Sequence, residues 1–151
     1  MTRLILVLFT LSGMCALIYQ LVWTRWLGLA VGNFPTATAT VVTAYMAGLA
    51  IGNWTLGRLA ASRSPADAVR LYAALEAGLA ALAALSPLLF SSSSPLYSVL
   101  AASSANPLAR ALACFLALLP PTILMGGTLP ALVAALRAAA PGALGPLYAL
   151  N

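Results

Sequence analysis

Residues 114–136, CFLALLPPTILMGGTLPALVAAL, form an apolar run without a charge that is interrupted by Pro120, Pro121, Gly126, Gly127 and Pro130. In water these are poor helix-interior residues, proline by about 3 kcal/mol and glycine by about 1 kcal/mol relative to alanine. Hydrocarbon changes the terms, because backbone groups that cannot reach water must be satisfied within the protein, and a helix does this best. Each proline still removes the donor for the carbonyl four residues earlier. Leu116 and Ala117 are therefore expected to lose regular hydrogen bonding, with a kink in the helix there. The freed carbonyls need partners in neighbouring helices, in the hydroxyls of Thr122 or Thr128, or in a wet cavity. Such a segment gives the other helices something specific to pack around.

The rest of the chain has the same character. Hydrophobic residues make up 63% of its 151 residues and charged residues 6%, against roughly 45–50% apolar in soluble domains. The fold class is an all-α polytopic membrane bundle of about four helices, with spans near 4–25, 36–57, 69–90 and 108–136 and the fourth broken at Pro120-Pro121. The net charge of +5 comes from seven arginines without a lysine. They lie mainly at segment ends, which fits membrane topology better than nucleic-acid binding. Cys15 and Cys114 are far apart and there is no histidine, so neither a disulfide framework nor a Cys/His metal site is indicated. Both thiols read as small buried apolar residues.

The first apolar run follows Arg3 and is longer than the 7–15 residues of a signal-peptide core. It reads as a retained span. Its end, Tyr19-Gln20-Leu21-Val22-Trp23-Thr24-Arg25-Trp26, carries two tryptophans expected at the membrane interface, with Arg25 reaching outward. Gln20 reads as interhelical hydrogen-bond glue ahead of a ligand contact. Gly32-Asn33-Phe34-Pro35 reads as a turn. In the second span Thr36, Thr40, Ala44, Gly48 and Gly52 step by four and are all small, a packing face with Gly48 and Gly52 as its GxxxG core. Asn53-Trp54-Thr55 matches a glycosylation sequon but ends an apolar helix, and is discounted.

Arg58, Arg63 and Arg70 lie in the most charged loop, which the positive-inside rule assigns to the cytoplasm. Alternation then puts Arg3 and Arg137 on the same side and Arg25 and Arg110 opposite. The N-terminus is expected inside, in a bacterial inner membrane. Ser64-Pro65-Ala66-Asp67 reads as the start of the third helix, and Ser86-Pro87 as approaching its end. Glu76, the acidic residue within an apolar segment, lies about 9 Å along the helix from Arg70. An ionisable group there is a candidate cation or proton site, although pairing with Arg58 or Arg70 is the preferred reading. Residues 96–100 read as a short interfacial helix, and Asn106-Pro107 restarts the chain. Residues 108–136 read as one long kinked helix, with two half-helices flanking a site as the alternative.

These pieces add up to a resemblance. Leu11-Ser12-Gly13 with Ala16-Leu17-Ile18-Tyr19-Gln20-Leu21-Val22-Trp23-Thr24-Arg25 comes first, then Gly48-Leu49-Ala50-Ile51-Gly52 with Gly57-Arg58-Leu59-Ala60. Leu71-Tyr72-Ala73-Ala74-Leu75-Glu76, the element Pro120-Pro121-Thr122-Ile123-Leu124-Met125-Gly126-Gly127-Thr128-Leu129-Pro130, and Leu147-Tyr148-Ala149-Leu150-Asn151 follow. In this order they resemble the N-terminal membrane region of the fused major-facilitator/spermidine synthase family. Gly127 departs from it, where the family more often has alanine. The resemblance implies polyamine biosynthesis and a soluble aminopropyltransferase-like domain joined to a membrane module.

The residues themselves carry no synthase chemistry. A dinucleotide-type site needs a glycine-rich turn between strand and helix, whereas Gly126-Gly127 lies in an apolar helical setting. Asp67 and Glu76 alone form no acidic pocket for a polyamine. No catalytic residue, cofactor or metal is expected in this chain. Three roles follow: a non-catalytic module that anchors or regulates a synthase-like domain, with Arg58, Arg63 and Arg70 as its docking face; half of a transporter-like bundle for a polyamine or other small cation; or a structural packing module. The expected partners are the lipid bilayer, further C-terminal helices and the synthase-like domain of the same protein, and a second copy of the chain, but not nucleic acid. Because residues 147–151 resemble the opening of another membrane helix after a Pro141-Gly142 and Gly145-Pro146 turn, the chain is expected to be part of a longer protein.

Overall fold

The computed structural model describes residues 2–31, 34–89 and 106–137, with the single positions 98, 142 and 145. Four helices account for nearly all of this: α1 (Thr2–Val31), α2 (Phe34–Ala61), α3 (Pro65–Leu89) and α4 (Pro107–Leu136). All four contain stretches long and apolar enough to cross a membrane, so the chain is an integral membrane protein. The expected interfacial helix at 96–100 and the turn and helix start at 141–151 lie, apart from those single positions, outside the described residues.

Helix ends follow local chemistry. The Asn106 side chain accepts hydrogen bonds from the Leu108 and Ala109 amides at 3.1 and 3.2 Å, so it caps α4 with Pro107 at the first helical position, where a missing donor costs nothing. Ser64 does the same for α3. Its hydroxyl oxygen accepts from the Asp67 amide at 3.2 Å while its proton goes to the Asp67 carboxylate at 2.7 Å. Of the turn expected at Gly32-Asn33-Phe34-Pro35, Phe34 and Pro35 already belong to α2, and residues 32–33 lie outside the described residues. Proline is tolerated in that first turn because its amide would find no helical partner there.

α4 is the helix around which the bundle is built. It passes through Pro120, Pro121 and Pro130 as one helix of 30 residues, so the two half-helix arrangement is not the one found. The expected rescue of the Leu116 and Ala117 carbonyls is not what the threonines do. Thr122 Oγ1 reaches the carbonyls of Leu118 at 2.9 Å, Leu119 at 3.0 Å and Ala44 at 3.3 Å, and Thr128 Oγ1 donates to Met125 at 2.8 Å. The Thr122 hydroxyl, directly after the proline pair, reaches back to its own preceding turn and across to α2, and neither direction meets the Leu116 or Ala117 carbonyl. In α3 such a rescue does occur: Ser86 Oγ donates at 2.7 Å to the Ala83 carbonyl, the group that Pro87 leaves without its donor.

The closest seam joins α2 to α4. Gly48 faces Thr122, and Gly52 faces the backbone carbonyl of Ile123 so tightly that a Cβ at either position would overlap it. From the other side, a Cβ on Gly126 would lie 2.8 Å from Leu49 Cα, and one on Gly127 would strike the Leu56 side chain. Glycines on both helices thus let two backbones meet, as small residues do where lipid supplies no hydrophobic drive. Gly126 and Gly127, read in the sequence as helix-breaking residues, are packing residues here.

Three apolar clusters complete the bundle. One joins Trp23 and Leu27 of α1, Val41 and Ala44 of α2, and Cys114 and Leu118 of α4. A second is nearly all alanine and joins α2, α3 and α4 through Ala60, Ala68, Ala131, Ala134 and Ala135, with Leu75. The third sets Phe9 of α1 against Leu132 and Leu136 of α4. α1 is therefore held near both ends, by Phe9 and by Trp23 with Leu27, and the space beside its middle is where the candidate site lies.

Candidate functional site

Between its two anchoring clusters α1 stands off from α2, α3 and α4, leaving a cavity of about 640 Å³. Its walls are mostly apolar: Phe9 and Leu17 from α1, Leu49 from α2, Leu79 from α3, Met125 and Leu129 from α4. Polar groups converge on it from all four helices, with Ser12 and Tyr19 from α1, Tyr45 and Asn53 from α2, Glu76 from α3 and Thr128 from α4. An apolar pocket of several hundred Å³ with a few convergent polar groups is the usual form of a small-molecule site, about 300–1,000 Å³.

Glu76 is the charged group in that wall. The Ser12 hydroxyl donates to both of its carboxylate oxygens, at 2.8 and 2.9 Å, so one proton is shared in a bifurcated bond. Tyr72, four residues earlier on α3, lies within interaction reach of the same carboxylate. The expected pairing of Glu76 with Arg58 or Arg70 does not occur. Arg70 instead bonds Asp67 at 3.1 Å on the surface, the residue three before it, while the Arg58 guanidinium lies 4.3 Å from the centre of the Trp54 ring. Both arginines sit at the polar end of the bundle and are satisfied there by near neighbours. Among the described side chains, Glu76 has no ion-pair partner.

Ser12 appeared in the sequence only as part of a motif, yet a signal for it existed. It lies ten residues beyond Thr2 in α1, and Glu76 eleven beyond Pro65 in α3. The two helices run in the same direction, so both residues sit about 15–17 Å from their helix starts. Equal depth on parallel helices is what lets the hydroxyl meet the carboxylate.

Other sequence candidates fall differently. Tyr19 lines the cavity and stacks on Trp23 at 5.9 Å between ring centres. Gln20 is half-buried, and its carbonyl accepts from Thr24 at 2.7 Å. Its side chain makes no interhelical hydrogen bond among the described residues. Arg25 is exposed. Trp23, expected at the interface with Trp26, is 2% exposed in the core, and its indole nitrogen has no hydrogen-bond partner among the described residues. Bulk that fills the gap between α1, α2 and α4 outweighs the preference of indole for the headgroup region. Cys114 is buried but Cys15 is exposed and lines the cavity, correcting the reading of both thiols as buried.

Four arginine positions gather at the end shared by the C-termini of α2 and α4 and the N-terminus of α3. Arg137 Nη2 donates to the Ala61 carbonyl at 3.3 Å, which ties the ends of α4 and α2 together and places a cation where helix carbonyls are unsatisfied. Arg58, Arg63 and Arg70 lie at the same end and are exposed. Among the described residues no group of three or more His, Cys, Asp or Glu is arranged to hold a metal ion.

Comparison of the chain with known protein families, with curated proteins and with solved structures gives no match.

Proposed function

We propose that this chain is the N-terminal membrane module of a spermidine synthase-like protein of polyamine biosynthesis, non-catalytic in itself, which holds an aminopropyltransferase-like domain at the cytoplasmic face of a bacterial inner membrane. The observation that carries the reading is the joining of two features in one bundle: the PPTILMGGTLP element, which builds α4, and an arginine-rich end formed by Arg58, Arg63, Arg70 and Arg137. An end with a net positive charge orients a bundle across the membrane and offers an acidic soluble domain a docking surface.

The coding sequence beyond Asn151 tests this directly. Further apolar spans followed by a strand–helix domain with a glycine-rich turn would support it, with aminopropyl transfer by the full-length product as the assay. A reading frame that lacks such a domain would defeat it. Orientation is tested separately by a cysteine introduced at Ser64 in a background where Cys15 and Cys114 are serine. It is expected to resist an impermeant thiol reagent added to intact cells and to react in inverted vesicles.

Glu76 favours a second reading, a transporter-like bundle for a polyamine or other small cation. A carboxylate that faces a cavity at membrane depth is costly unless it has work to do. Saturable uptake of a labelled polyamine by vesicles containing the full-length protein would support this reading, and absence of uptake would count against it.

A further inference from the structure

We propose that the cavity beside the middle of α1 binds a singly charged ammonium compound with an apolar body, its head on Glu76 and its body among Phe9, Leu49, Leu79 and Met125. The inference deepens the second reading only in placing a cation at Glu76, and it requires neither transport nor a synthase domain.

Charge comes first. An ionised carboxylate offers about four lone-pair positions, of which the Ser12 proton, shared at 2.8 and 2.9 Å, takes up part and the Tyr72 hydroxyl, within reach of the same group, a further one. With no ion-pair partner among the described side chains, the remaining positions suit a cationic donor. One carboxylate balances one positive charge. A tri- or tetravalent polyamine would carry its other ammonium groups into a wall that has no second acid, where an uncompensated charge is strongly disfavoured.

Size and lining then select the rest of the ligand. About 640 Å³ far exceeds the space of a bare alkali ion and matches an organic molecule. The walls next to Glu76 are hydrocarbon, thioether and aromatic, and an aromatic face attracts a cation as well as an apolar body. Tyr19 and Tyr45 bring rings from α1 and α2. The shared chemistry is a primary ammonium group, and its source is either a free amine or the headgroup of an aminophospholipid.

The test uses the full chain purified in dodecyl maltoside, with 2-phenylethylamine as probe, 2-phenylethanol as its neutral counterpart, and isothermal titration as the readout. Saturable binding of the amine is expected, with the alcohol and spermidine each at least tenfold weaker. Glu76→Gln is expected to lose amine binding at least tenfold, and Glu76→Asp to recover part of it. Should Glu76→Gln fail to fold, Ala80→Trp narrows the cavity from its α3 wall while keeping the carboxylate itself, and a tenfold loss is again expected. Equal binding of alcohol and amine, or unchanged amine affinity in a folded Glu76→Gln or Ala80→Trp protein, would overturn the proposal. Adding phosphatidylethanolamine, with phosphatidylglycerol as control, separates the sources: specific displacement of the amine assigns the site to the lipid headgroup, and retention assigns it to a free amine. Loss of amine binding would leave the synthase-module reading standing, and absence of a synthase domain would leave the amine site standing.

Discussion

The α2–α4 seam and the α1–α3 side of the same bundle solve the problem of packing in hydrocarbon in opposite ways. At the seam, Gly48 and Gly52 of α2 interlock with Thr122, Ile123 and Gly126 of α4, and backbone meets backbone. Across the cavity, α1 meets α3 through the hydroxyl–carboxylate contact of Ser12 with Glu76. Tight packing of backbone on backbone gains its energy mainly from many weak dispersion contacts. A roomy, polar contact gains little stability and keeps a charged group accessible. The first arrangement is suited to holding a shape and the second to meeting a ligand.

The sharpest way to break this contrast is to make one substitution on each side. Gly52→Leu forces a side chain into the Ile123 carbonyl, and it is expected to destabilise by about 3 kcal/mol or more, at the upper end of overpacking costs. Gly48→Leu, against Thr122, belongs to the same class. At Gly13, on the cavity side of α1, an added Cβ meets no atom within 4 Å, and Gly13→Leu is expected to cost less than about 0.5 kcal/mol. Thermal unfolding in detergent measures all three. A Gly13→Leu protein as unstable as Gly52→Leu would mean that the two regions do not differ.

A smaller effect is expected at Thr122, where the seam contains its own polar group. Thr122→Val keeps the shape but removes the hydroxyl that reaches the Ala44, Leu118 and Leu119 carbonyls. Polar contacts of this kind are worth roughly 0.6–1.7 kcal/mol in membrane bundles, so the unfolding midpoint should fall only modestly. A loss as large as that of Gly52→Leu would show that the seam depends on its hydrogen bonds and not on backbone proximity. The smallest effect is expected at the exposed Arg58–Trp54 contact. Arg58→Gln should cost about 0.5–1 kcal/mol at most, read by the same unfolding measurement.

The two regions were not equally legible in the sequence. Small residues stepping by four from Thr36 to Gly52 marked the α2 face, and Ser64 to Asp67 marked the start of α3, because both signals depend on local spacing. The partner of Glu76 was not legible. Arg58 and Arg70 looked close along the chain, but Asp67 and Trp54 were nearer, and Ser12 lies 64 residues away. Trp23 and Cys15 exchanged their expected surroundings for a related reason. In a soluble helix the apolar stripe identifies the inward face, whereas a membrane helix is apolar all round, and nothing in its periodicity says which residues meet protein and which meet lipid. The doubled glycine at 126 and 127 could have been read as a packing signal, had it been set against Gly48 and Gly52 instead of against the neighbouring prolines.

The central position of α4 also has a consequence for the order in which the bundle can be assembled. Chains are made from the N-terminus, so α2 and α3 reach the bilayer before the helix that joins them exists. Glu76 then arrives in lipid while α4 is still unmade, and α1, already present, carries at matching depth the hydroxyl that can meet it. The Ser12 contact is thus available as a chaperoning partner during insertion, ahead of any role in the finished protein. Ser12→Ala is accordingly expected to lower the fraction of chains in which α3 is inserted, a quantity that glycosylation-site mapping during cell-free synthesis on microsomes can follow, even where the completed bundle unfolds at an unchanged temperature.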